Sequence, residues 1–93
     1  MDKRKQIVSC YDGDNFCILV PVYYECEDMP SWRKVFVGTK TECTKEFAIY
    51  PDFLIATDEE NMQNRKNKRQ EYLFLLSINK KAQAEKIKVQ YNF

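Results

Sequence analysis

The sequence predicts an α+β fold: a mostly antiparallel sheet, open or closed into a small, partly open five- to six-stranded barrel, with one charged helix over residues 57–70. Three observations carry this expectation. Most of the chain falls into short apolar runs of strand length, several alternating with period two. A polar, charged segment with a helix-start signature interrupts them once, so a repeating βαβ architecture is excluded. At 93 residues there is room for one domain only, and 14% aromatic content makes a small core feasible. The order strand, strand, strand, broken strand, helix, strand, strand is also that of an OB-like barrel, which is an analogy of topology.

Residues 1–5 read as a basic, frayed start. Gln6 to Tyr11 is the first strand, with Val8 and Cys10 on one face. Asp12-Gly13-Asp14-Asn15 is a hairpin turn, Asp-Gly being a strong turn signal. An EF-hand loop needs further oxygen ligands that this stretch lacks. Phe16 to Glu25 is the longest strand, and Pro21 within it implies an edge position or a bulge. Glu25 to Pro30 is an acidic loop, and Trp32 to Val37 is the third strand, ended by Gly38. Thr39 to Lys45 is a polar connector. Phe47 to Tyr50 and Phe53 to Ala56 form a strand broken by Pro51-Asp52.

Thr57-Asp58-Glu59-Glu60 has the form of a capping box, with Thr57 as N-cap and Glu60 reaching back. Acids precede bases along the segment, an order that complements the helix dipole. Its one apolar residue is Met62, so the helix has almost no face to bury. Tyr72 to Ile78 is apolar on both faces apart from Ser77 and reads as a central strand; the competing reading is a buried helical turn, because Leu is a good helix former. Ile87, Val89, Tyr91 and Phe93 alternate with Lys88, Gln90 and Asn92, the mark of a half-buried strand. Asn79 to Lys86 would then be a hairpin loop or a single helical turn.

Chemistry is bounded mainly by what is missing. With no histidine, Ser-His-Asp, Cys-His and histidine-based metal hydrolysis are impossible. Gly13 and Gly38 stand alone, so no phosphate-binding glycine loop exists. Cys10, Cys17, Cys26 and Cys43 are spaced by 7, 9 and 17 residues, with no C-x-x-C pair, and read as reduced thiols. No cofactor and no metal is expected. The longest apolar run, nine residues from Phe16 to Tyr24, is too short to span a bilayer, and no secretion signal or glycosylation sequon is present. A cytoplasmic protein with no membrane partner is expected.

Net charge is +1, but residues 1–60 carry 7 basic and 12 acidic side chains and residues 61–93 carry 8 and 2. This split points to a charged partner. The candidate contact residues are Arg65, Lys66, Lys68 and Arg69 on the helix and Lys80 and Lys81 in the loop after it, with Lys86 and Lys88 extending the basic surface. Tyr23 and Tyr50 are the aromatic residues most expected to be exposed among Trp32, Tyr23, Tyr24, Phe36, Tyr50 and Tyr91. The functional expectation is a non-enzymatic interaction module that binds a host protein or nucleoprotein, as small inhibitors and accessory proteins of phages and mobile elements do. The runner-up is a single-stranded DNA or RNA binder with an OB-like barrel. Its low net charge counts against strong binding to phosphates.

Overall fold

A computed structural model describes residues 3–10 and 13–93 of the chain. They form two compact units, one made of Met1–Tyr23 with Met29–Ile55, the other of Tyr24–Asp28 with Ala56–Phe93.

The first unit is a four-stranded open sheet with a short helix. Its strands are β1 (Gln6–Ser9), β2 (Phe16–Tyr23), β3 (Ser31–Gly38) and β4 (Leu54–Ile55). β2 is central: β1 and β3 flank it antiparallel, and β4 pairs in parallel with Val22 and Tyr23. Of the two expected sheet forms, the open one is present. Pro21 pairs with Trp32 of β3, and on the other edge of β2 it lies between Leu19, the last position paired with β1, and Val22, the first paired with β4. The expected irregularity sits close by, between Ile18 and Leu19, where the register skips Val35 of β3. The Val35 carbonyl accepts a hydrogen bond from the Tyr50 hydroxyl, 3.3 Å away. Ile18, Val20 and Cys43 are fully buried, with Phe36, Phe47 and Leu54 packed on them.

Three expectations for this unit are corrected. Residues 39–45 form a helix, α1 (Lys40–Glu46), opened by a capping box: the Glu42 N–H donates to Thr39 Oγ1 at 3.2 Å, and the Thr39 N–H to Glu42 Oε1 at 2.9 Å. Phe47–Ile49 is a 3-10 turn, so only Leu54–Ile55 remains of the broken strand. Lys5 is not frayed. Its N–H donates to the Asp52 carbonyl at 2.7 Å, and its ammonium donates to the carbonyls of Phe47 and Tyr50 at 2.8 and 2.6 Å, tying β1 to the turn after α1. Met1, Asp2, and the Tyr11 and Asp12 portions of the expected first strand and turn lie outside the described residues. The rest of that turn is present: Gly13 has φ +107°, and the Cys10 N–H donates to the Asn15 carbonyl.

The second unit is a helical hairpin, α2 (Asp58–Ser77) and α3 (Lys81–Tyr91), with residues 24–28 folded against it. Thr57 caps α2 as expected: its Oγ1 accepts from the Glu60 N–H at 3.1 Å, and its own N–H donates to Glu60 Oε1 at 3.2 Å. The helix does not stop near residue 70. Tyr72 to Ser77 continue it, and Ile87 to Tyr91 belong to α3, so neither expected strand forms. The physical reason is visible in burial. Ala84, Ile87 and Tyr91 are spaced 3 and 4 apart and share one buried face of α3, whereas Val89, on the same face only in a strand, is 72% exposed. They pack on Leu75 and Tyr72 of α2 and on Phe93. Burying a side chain such as Ile87 stabilises by about 1.5–3 kcal/mol relative to exposure. Asn79 then stops α2. It adopts φ +63°, with its own N–H donating to the Leu76 carbonyl and the Lys80 N–H to that of Leu75, a Schellman termination. No helix among the described residues is long and apolar enough to cross a membrane.

Candidate partner-binding surface

The expected contact residues are divided by the fold. Arg65, Lys66 and Arg69 stand exposed on one flank of α2, where they line a groove of about 500 Å³ together with Met62, Asn92 and Phe93. The Arg65 guanidinium lies 5.2 Å from the centre of the Phe93 ring. On its other side Arg65 borders a second groove lined by Glu25, Asp58, Asn61 and Met62. Phe93 in turn stacks on Tyr91, with centroids 5.9 Å apart and planes at 19°, and leans on Tyr72.

Among the described residues, Arg65, Lys66 and Arg69 form no ion pair. Arg65 and Arg69 are four apart, and Lys66 and Arg69 three apart, on neighbouring turns. Like charges at these spacings cost the helix a few tenths of a kcal/mol each. Lys68 is different: its ammonium reaches the Glu71 carboxylate at 3.4 Å. Lys80 and Lys81 lie beyond the far end of α2, about 18 Å along the axis from Arg65 at 1.5 Å per residue. They line a separate shallow groove of about 560 Å³ with Asn79, Ala82 and Gln83.

Tyr23 and Tyr50 belong to the sheet unit and are both half-buried. The Tyr23 ring meets Phe53 edge-on at 6.0 Å, and its hydroxyl bonds to the Lys3 backbone. Tyr50 serves the Val35 carbonyl. Both are therefore structural in their contacts.

Two features of the helical unit have no counterpart in the sequence reading. First, Leu73 (54%), Phe74 (60%), Leu76 and Ile78 are exposed, so of the apolar segment expected at the centre of a sheet only Tyr72 and Leu75 turn inward. Second, the acidic loop is tied into the hairpin. The Tyr91 hydroxyl donates to Glu27 Oε1, and the Asn64 amide reaches both Glu27 Oε1 and the Tyr91 hydroxyl at 3.2 Å. The Glu25 N–H donates to Asn61 Oδ1 at 2.9 Å, and the Gln90 amide to the Cys26 carbonyl at 2.8 Å. Burial and the neighbouring Glu27 carboxylate push the Tyr91 hydroxyl above the usual tyrosine range. The polar residues Asn61 and Asn64 on the buried side of α2 were the available signal.

The four cysteines are free thiols; Cys17 and Cys43 are buried. Burial pushes the Cys17 thiol up, and a hydrogen bond with Cys10 adds to this. A thiol held protonated in this way is a poor nucleophile. Among the described residues no cluster of Cys, Asp or Glu could hold a metal ion. Neither protein-family models, nor curated proteins, nor solved structures include a match to this chain.

Proposed function

We propose that this chain is a non-catalytic interaction module that binds an acidic protein partner through α2. The observation that carries the reading is the cation set Arg65, Lys66 and Arg69, exposed on one flank of α2 beside Met62 and Phe93, of which Arg65 also borders Glu25 and Asp58 while Lys66 and Arg69 have no acid beside them among the described residues. Lys66 and Arg69, three residues apart and with no acid beside them, repel each other, which serves something other than the stability of the helix. An acidic surface would offset that repulsion and gain charge-assisted hydrogen bonds from two guanidinium groups. Such complementarity steers association and sets specificity. A small inhibitor or accessory protein acting on another protein fits this description.

Single-strand nucleic-acid binding has weaker support. It asks for free aromatic faces beside the cations. Phe93 already stacks on Tyr91 and carries Arg65, and Tyr23 and Tyr50 are engaged in the sheet unit.

Affinity capture from the native host, with and without nuclease, tests the proposal. The expected result is a protein partner that survives nuclease, elutes with salt, and is lost when Arg65, Lys66 and Arg69 are all changed to Glu in a chain with an unchanged circular dichroism spectrum. Capture indifferent to that reversal would sink the reading. Capture abolished by nuclease would transfer it to nucleic acid.

A further inference from the structure

The exposed flank of α2 carries more than charge. At about 100° per residue, Met62, Arg65, Lys66, Arg69, Leu73 and Leu76 fall within about 100° of arc and about 21 Å of axis. Met62 is 73% exposed at one end of this stripe, and Leu73 and Leu76 are exposed at the other. The three cations lie between, with Phe93 beside Arg65. α2 and α3 alone make a two-helix layer, and two helices leave apolar side chains uncovered that a third would bury.

We propose that this flank is the docking site for an acidic amphipathic helix of a partner protein, lying along α2 with carboxylates against Arg65, Lys66 and Arg69 and apolar side chains against Met62, Leu73 and Leu76. The inference rests on the acidic-partner reading and extends it. A helix fits because the stripe is straight, about four turns long, and alternates apolar, basic, apolar along its length, the pattern of helix-in-groove recognition. A second copy of this chain fits poorly. Its acids on this helix are Asp58, Glu59 and Glu60, all in the first turn, and Glu71, which pairs with Lys68 on another face. An antiparallel overlap that brought Asp58 to Arg69 of the other copy would carry Leu73 and Leu76 past the start of its α2. A phosphate backbone offers Leu73 and Leu76 nothing to pack on.

The test is a titration of the full, isotope-labelled chain followed by amide NMR shifts. Four probes are used: a hydrocarbon-stapled 16-residue helix with three Glu in successive turns and Leu at both ends of the same face; the same helix with Gln for Glu; unstructured polyglutamate; and oligo-dT. The stapled acidic helix is expected to shift Met62 to Leu76 as one stretch and to bind at least about tenfold more tightly than the other three. Leu73→Gln with Leu76→Gln, which leaves the charge of the flank unchanged, is expected to weaken the stapled helix about tenfold or more and to leave polyglutamate unaffected. Leu73→Ala with Leu76→Ala is the milder pair if the first lowers the melting temperature. A stapled helix that binds these variants as it binds the wild type overturns the inference but leaves the charge reading intact. If reversal of Arg65, Lys66 and Arg69 affects neither acidic probe, both readings fall. Tighter binding of oligo-dT, or no binding of the stapled helix, also overturns the inference.

Discussion

At the scale of single residues, Tyr91 joins apolar and polar groups from three segments. Its ring is 2% exposed and packs with Leu75, Ala84 and Ile87, while its hydroxyl meets Glu27 and Asn64. The side chain therefore links the acidic segment 24–28 to both helices. Tyr91→Phe keeps the ring and removes the hydroxyl, leaving a part-buried carboxylate and amide to find other partners. A loss of about 1–2 kcal/mol is expected in urea unfolding. The pH dependence gives a second readout. The folded state holds the hydroxyl protonated above the ordinary value near 10, so its contribution is fully present below pH 10. As pH rises past 10, the unfolded chain releases the proton first, and stability falls until the folded pKa is passed. Tyr91→Phe should flatten this alkaline loss relative to the wild type. A variant as stable as the wild type, with the same alkaline slope, would show that the hydroxyl contributes nothing. None of this was legible in the sequence. Tyr91 reads equally well as a strand residue, and Glu27 lies 64 positions away.

At the scale of elements, legibility follows the length of the signal. The Thr57 to Glu60 capping box is local chemistry, four residues long, and it forms as read. The same box at Thr39 to Glu42 opens only seven residues with no apolar stripe, so the cap is the one helix signal there. The helical hairpin is ambiguous in sequence because period two and period 3.6 both fit short apolar runs. Ile87 and Tyr91 satisfy either period, and only the exposure of Val89 and the burial of Ala84 separate them. A decisive clue was still available: no Gly or Pro occurs from Thr57 to Phe93, so nothing in the chain breaks a helix before a residue that tolerates the left-handed region. Asn79 and Asn92 play that part, with φ +63° and +58°. In a chain with two glycines, asparagine takes over the helix stop. Asn79→Ala is accordingly expected to cost about 1 kcal/mol in thermal unfolding, and Asn79→Gly to cost nothing or to stabilise slightly. Equal melting temperatures for the two variants would show that the turn does not depend on this conformation.

At the scale of the whole molecule, the charge asymmetry changes meaning. By sequence position, residues 1–60 are net −5 and residues 61–93 net +6. By compact unit, the first carries 7 basic and 6 acidic side chains, net +1, and the second 8 and 8, net zero. The acids at 25–28 and 58–60 belong with the basic helix, so the asymmetry lies within the second unit and along α2 itself. Its acidic first turn complements the helix dipole, which accounts for Asp58, Glu59 and Glu60 as structure. No such account covers Lys66 and Arg69, which sit mid-helix, exposed, without an acid among the described residues and next to other cations. This yields a prediction that separates a structural role from a binding role. Residues that stabilise a fold cost stability when removed, and residues kept for binding do not. Lys66→Ala with Arg69→Ala relieves the like-charge spacings and adds good helix formers, so urea unfolding should show stability unchanged or raised by roughly 0.5 kcal/mol. The same double variant should lose capture of the acidic partner. A stability loss above about 1 kcal/mol would mean that the two cations hold the hairpin together, and the reading of α2 as a binding surface would lose its main support.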